Sequence, residues 1–212
     1  MIFNKNMLRL YAITDRRYND RFTLYEQVEQ ALAGGATIVQ LREKELEEVA
    51  FAKEASIIKR LCHQYGVPLI INDNLSVALQ SGADGIHVGL NDMPIDEIRR
   101  KTSSDFIIGA TAKTVSQAQT AQRLGADYLG VGAVFPSSTK SDAVRITKEQ
   151  LKEISKSVTI PIVAIGGITL ENAHTLNDSG TSGIAVVSSL FGAENIKKAA
   201  EDLRKTSETI IQ

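Results

Sequence analysis

Short apolar runs recur eight times along the 212 residues, with helix-like stretches between them. Few folds accept that alternation. The runs are RLYAIT (9–14), TIVQLR (37–42), PLIIND (68–73), GIHVG (85–89), FIIGA (106–110), YLGVGAVF (128–135), PIVAIG (161–166) and GIAVVS (183–188). They are rich in Val and Ile and too short for helices, so they read as strands. Between 46 and 65, Phe51, Ala55, Ile58, Cys62 and Tyr65 fall on one helical face. Glu47 and Glu48 open that stretch, Lys59 and Arg60 lie near its end, and Gly66 and Pro68 stop it. Thr23 with Glu26, Thr114 with Gln117 and Thr147 with Gln150 have the spacing of capping boxes.

Repeated strand–helix units imply a parallel sheet covered on both faces. Eight of them predict an α/β fold, a compact (β/α)8 TIM barrel forming one domain over residues 1–212. An open doubly wound sheet is the alternative, and it usually carries a glycine-rich fingerprint after the first strand. Here that segment reads ITDRRYNDRF and has no glycine. The segments AGGATIV, SGADGIHV, LGADYLGV and SGTSGIAV look like one recurring helix-to-strand turn, which also favours a barrel of similar units.

Lys plus Arg number 24 and Asp plus Glu 25, so no basic surplus speaks for nucleic acid or an anionic membrane. No apolar run approaches the ~20 residues of a membrane span. The start, MIFNKNMLRLYAITD, lacks the apolar stretch of a signal peptide. Cys62 is the one cysteine and cannot form an internal disulfide, which fits a reducing compartment. A cytoplasmic protein is expected, and barrels of this size commonly associate into homo-oligomers.

Ligands of such barrels bind at the C-terminal strand ends. Those ends carry Gln40, Arg42 and Lys44 after strand 2, Asn72 and Asp73 after strand 3, and His87, Asn91 and Asp92 around strand 4. Strand 5 ends near Thr111, strand 6 leads to Ser137, Ser138, Thr139 and Lys140, strand 7 to Gly166 and Gly167, and strand 8 to Val187 and Ser188. Each element alone has a plain structural reading. QLREK suits a charged loop, and Asp73 and Asp92 suit helix caps. Together they suit anions: cations and hydroxyls at one rim, with two carboxylates on neighbouring strands able to share a Mg²⁺ ion. His63 and His174 read as surface residues within helices, His87 as a satisfied structural histidine, and Cys62 as packing.

QLREK, IND, HVG..D, FPSSTK, AIGGI and VVSS, in that order on those strands, resemble the thiamine-phosphate synthase family along essentially the whole chain. The resemblance implies a transferase that joins hydroxymethylpyrimidine diphosphate to thiazole phosphate, releasing diphosphate. It implies that Gln40, Leu41, Arg42, Glu43 and Lys44 contact the pyrimidine diphosphate, with Gln40 toward the ring. Asn72, Thr111 and Lys140 join Arg42 and Lys44 on the diphosphate, and Arg42, Lys44 and Lys140 act catalytically. Ser137, Ser138, Thr139, Gly167, Val187 and Ser188 line the thiazole-phosphate site. Asp73 and Asp92 hold one Mg²⁺.

The family usually has Gln after HVG, where this chain has Leu90. It often has Ser at the place of Thr111 and Thr at the place of Ser137, and both exchanges keep the hydroxyl. A related branch, the thiazole tautomerases, uses a histidine shortly after strand 5, where GATAKT puts Lys113. A tautomerase-like paralogue and a non-catalytic regulator on the same fold are the competing readings.

Overall fold

The computed structural model describes residues 2–18, 20–136 and 145–211. Strands β1 (Leu10–Ile13), β2 (Ile38–Leu41), β3 (Leu69–Asn72), β4 (Gly85–Val88), β5 (Ile107–Ala112), β6 (Tyr128–Gly132), β7 (Ile162–Ile165) and β8 (Gly183–Val186) pair in sequence order, all parallel. β8 pairs back onto β1, which closes the barrel. The helices between them include α1 (Leu24–Ala33), α2 (Glu48–Gln64), α3 (Leu75–Ser81), α4 (Ile95–Lys101), α5 (Val115–Arg123) and α6 (Lys148–Lys156). α7 (Leu170–Ala173) follows β7, and the short α8 (Ser188–Phe191) and long α9 (Ile196–Ile210) follow β8. Among the described residues, no helix is long and apolar enough to cross a membrane.

Strand alternation divides the core in two. Leu10 and Ala12 of β1, Val39 and Leu41 of β2, and Leu69 and Ile71 of β3 face the helices in one continuous apolar layer. Their neighbours Tyr11, Ile13, Ile38 and Ile70 turn inward and pack with Ile107, Tyr128, Val163 and Ala185 inside the barrel. Leu8, at the end of the N-terminal 3-10 turn Lys5–Leu8, joins this inner cluster, and Phe3 stacks on Tyr128 with ring centres 5.7 Å apart.

The recurring turns before the even strands have a common construction. Gly35, Gly82 and Gly125 take positive φ values of 97°, 66° and 101°, which ends the preceding helix in the left-handed region that glycine enters without strain. Two residues later a polar side chain clasps the preceding odd strand. Thr37 accepts from the Leu10 amide at 2.9 Å and its own amide donates to the Leu10 carbonyl. Asp84 does the same with Leu69, and Asp127 with Ile108, at 2.8 and 2.7 Å for the side-chain bonds. Before β8 the pattern shifts by one residue: Thr181, directly after Gly180 at φ 79°, accepts from the Ala164 amide at 3.1 Å, while the Ser182 amide donates to the Ile162 carbonyl. Each clasp satisfies a buried strand N–H that water does not reach.

Thr23–Glu26 and Thr147–Gln150 form full capping boxes. At α5 only half a box forms. Thr114 accepts from the Gln117 amide, but the Gln117 carbonyl oxygen takes the Lys113 amide instead of that of Thr114. β6 ends at Gly132 rather than running to Phe135, because Val134 and Phe135 bond instead to the carbonyls of Ile165 and Gly166. β5 runs on to Ala112, so Thr111 is an inward strand residue.

Candidate active site

A cavity of about 200 Å³ opens at the C-terminal mouth. Its wall includes Gln40, Arg42, Asn72, Thr111, Gly167, Val187 and Ser188 of the residues expected there, together with Tyr11, His87 and Lys113. Ser137, Ser138, Thr139 and Lys140 lie outside the described residues.

On the β2 side, Arg42 is held by its amide, which donates to the Thr14 hydroxyl at 3.0 Å. Its guanidinium lies 3.7 Å from Asp15, a carboxylate buried at the end of β1. Hydrogen bonds from Arg17 hold Asp15 below the usual carboxylate range, against the effect of burial. Asp15 was not visible as a site residue because ITDRRYN reads as an ordinary polar loop. Leu41 faces the helix layer, and the Glu43 side chain is buried against Arg16 at 2.9 Å. Lys44 reaches across to Asp73, 2.8 Å away.

Asp73 and Asp92 do not cap helices. Asn74 caps α3, and Pro94 precedes α4. Asp73 has φ 62°, an uncommon backbone region for a residue other than glycine, and its amide donates to the His87 carbonyl at 2.9 Å. Asn72 donates to its carboxylate at 2.7 Å. Asp92 accepts from the Gly89 amide at 2.7 Å, which ties the loop after β4 onto its own start. Burial raises the Asp73 pKa above the usual carboxylate value; the Lys44 ammonium opposes this and the Asp92 carboxylate beside it adds to it. Two carboxylates held this close favour a shared cation. Among the described residues, no group of three or more His, Cys, Asp and Glu is placed to hold a metal. Two carboxylates suit a hard ion that completes its shell with water and ligand oxygen, as Mg²⁺ does. Leu90, half exposed, stands between Gly89 and Asp92 in the loop's sequence.

On the opposite wall, Gly166 and Gly167 have φ 102° and 62°. A Cβ on Gly167 would sit 2.1 Å from the Pro136 carbonyl oxygen, so only glycine lets the loop after β7 lie against the one after β6. Val187 packs on the inner cluster, and Ser188 starts α8.

The floor is polar. Gln40 donates to the Tyr11 hydroxyl at 2.8 Å, Tyr11 and Tyr128 share a 2.7 Å hydrogen bond, and Tyr128 meets His87 Nδ1 at 3.1 Å. His87 Nε2 meets the Thr111 hydroxyl at 3.2 Å. Burial raises both tyrosine pKa values and pushes His87 down to about 4, against the pull of Asp92. His87 is thus a satisfied, neutral histidine, as expected. Neither Tyr11 nor Tyr128 stands out in the sequence as a site residue. The available signal was alternation, which puts both on the Gln40 side of the sheet.

A closed β/α barrel with its cavity and convergent polar groups at the C-terminal mouth defines a barrel enzyme. The family model described as thiamine monophosphate synthase matches residues 10–190. A thiamine-phosphate synthase of Methanobrevibacter smithii is 48% identical over 198 residues, covering 93% of this chain and 94% of the relative. One of Ruminiclostridium cellulolyticum is 48% identical over 194 residues, covering 92% of each. The solved thiamine phosphate pyrophosphorylase of Pyrococcus furiosus superposes with a TM-score of 0.90 at 40% identity, covering 98% of this chain and 99% of that one. The chain belongs to the thiamine monophosphate synthase family. It is an enzyme, a transferase of thiamine phosphate synthesis.

Proposed function

We propose that the chain couples 4-amino-2-methyl-5-(diphosphooxymethyl)pyrimidine to 4-methyl-5-(2-phosphooxyethyl)thiazole, giving thiamine phosphate and diphosphate. The observation that carries this reading is the mixed charge of one rim. Arg42 and Lys44 stand beside the carboxylates Asp15 and Asp73, with Asp92 next to Asp73. Cations for a diphosphate and carboxylates for its counter-ion meet at one place. Asp73 and Asp92 would hold Mg²⁺, which when bound neutralises charge on the diphosphate.

The residues have separate tasks. Gln40 orients the pyrimidine ring. Arg42, Lys44, Asn72 and Thr111, with Lys140, grip the diphosphate and stabilise the charge that grows on it as its carbon–oxygen bond breaks. The aminopyrimidine ring supplies electrons to the methylene carbon in this dissociative step. Ser137, Ser138 and Thr139, with Gly167, Val187 and Ser188, hold the thiazole phosphate so that the ring nitrogen meets that carbon at short range. Leu41 and Glu43, whose side chains turn into the helix layer and onto Arg16, offer the pyrimidine diphosphate only their backbone. No protein nucleophile is required.

Mixing both precursors with Mg²⁺ and the protein tests the reading. Thiamine phosphate and diphosphate should appear in equal amounts. No coupled product, or tautomerised thiazole in its place, would overturn it.

A further inference from the structure

The polar floor of the barrel has a direction. Gln40, Tyr11, Tyr128, His87 and Thr111 form an unbroken series across the interior, with separations of 2.8, 2.7, 3.1 and 3.2 Å. Tyr11 and Tyr128 are no more than 1% exposed, so the bond between their hydroxyls is closed to bulk water. Each hydroxyl owns one proton. Gln40 Nε2 donates to Tyr11. Either oxygen of the Tyr11–Tyr128 pair could donate, and with the Gln40 bond in place Tyr128 is the acceptor within reach of the Tyr11 proton. Tyr128 would in turn direct its proton to His87 Nδ1. A neutral imidazole that accepts at Nδ1 carries its proton on Nε2, and that proton points at the Thr111 oxygen. The Thr111 proton is left over, and Thr111 lines the cavity.

We propose that this series is a one-way hydrogen-bond relay that ties together the polarity of two contacts with the same ligand. At one end Gln40 presents its carbonyl oxygen, an acceptor for the amino group of an aminopyrimidine. At the other end Thr111 presents a hydroxyl proton to the ligand's anionic diphosphate. Tyr11, Tyr128 and His87 are positioning residues. This rests on the substrate reading given above.

Reversal shows why the ends are coupled. Turning the Gln40 amide over would send every proton the other way. Gln40 would then offer N–H groups to an amine, and Thr111 would offer only lone pairs to an anion. A mixed state, right at one end and wrong at the other, leaves one buried link without a proton or with two, at a cost of about 1–3 kcal/mol. The rings have reserved space as well. A Cβ on Gly109 would lie 2.1 Å from Tyr128 Cζ, and one on Gly130 3.0 Å from His87 Cε1. Side chains on β5 and β6 would displace the middle of the relay.

The test has two parts. In the unliganded wild-type protein, ¹⁵N NMR of the histidine rings should find His87 protonated on Nε2 and bare on Nδ1. The Nδ1–H tautomer would overturn the relay's direction. The second part compares affinities for the pyrimidine diphosphate with Mg²⁺, using the natural ligand and one lacking the amino group, in wild type and in Tyr128→Phe, which keeps the ring and cuts the relay. Wild type, with the Gln40 carbonyl already turned to the ligand, should prefer the natural ligand by about tenfold, the size of one buried hydrogen bond. In Tyr128→Phe the Tyr11 hydroxyl has only the Gln40 carbonyl to donate to, which turns the amide over, so most of that preference should be lost. An unchanged preference in Tyr128→Phe would sink the proposal. If wild type fails to bind the diphosphate at all, the substrate reading falls and the coupling with it, while the tautomer still reports the relay's direction by itself.

Discussion

Acid should weaken this fold through one ring. His87 titrates at about 4 in the folded chain and at about 6.5 when unfolded, because burial disfavours its charged form. Between those values the unfolded chain binds a proton that the folded chain refuses. Stability is therefore complete above the unfolded value and is lost as pH falls toward the folded one. At about 1.36 kcal/mol per unit, moving from pH 7.5 to pH 5 removes about 2 kcal/mol from this group alone. The ring edge meets the cavity, and water there screens part of the effect, leaving about 1–2 kcal/mol. Urea unfolding at both pH values measures it, in wild type and in His87→Gln, which keeps a donor and an acceptor but does not titrate. Carboxylate contributions are common to both chains and cancel. Wild type should lose about 1–2 kcal/mol more than the variant. Equal losses would mean that the ring takes up its proton inside the barrel at an ordinary pH, and the burial argument would be wrong.

Asp73→Asn and Asp92→Asn should each cut Mg²⁺-dependent coupling by orders of magnitude while circular dichroism and the melting temperature stay near wild type; unchanged turnover would refute the metal assignment. Lys140→Ala should lower kcat more than affinity for thiazole phosphate, since its partner is the departing diphosphate. Calorimetry showing the reverse would reassign it. Thr181→Val should cost about 1–3 kcal/mol in chemical denaturation by stranding the Ala164 amide, with coupling activity retained.

Much of the barrel could be read in advance because its signals are local. Val- and Ile-rich runs, glycine turns and the 46–65 face depend on neighbours in sequence, and the structure keeps them within a few residues. β6 was misjudged at its end because Val134 and Phe135 look like strand residues, while their hydrogen bonds depend on the distant Gly166 loop. The same division holds for the site. Asp73 and Asp92 stand out as charges at strand ends. The buried acid Asp15 did not, since its meaning comes from Arg17 and Arg42. Tyr11 and Tyr128 lie 117 positions apart, and only barrel closure brings their hydroxyls together.

The side-chain clasps below the strands bear on the rim above. They join β1 to β2, β3 to β4, β5 to β6 and β7 to β8, so the wall resembles four double staves with seams between them. Asp73 and Asp92 ride on the same stave, whereas Arg42 and Lys44 stand across a seam from them. The β3–β4 clasp thus fixes the base on which the acid pair stands, and Lys44 reaches that pair from the neighbouring stave through its 2.8 Å contact with Asp73.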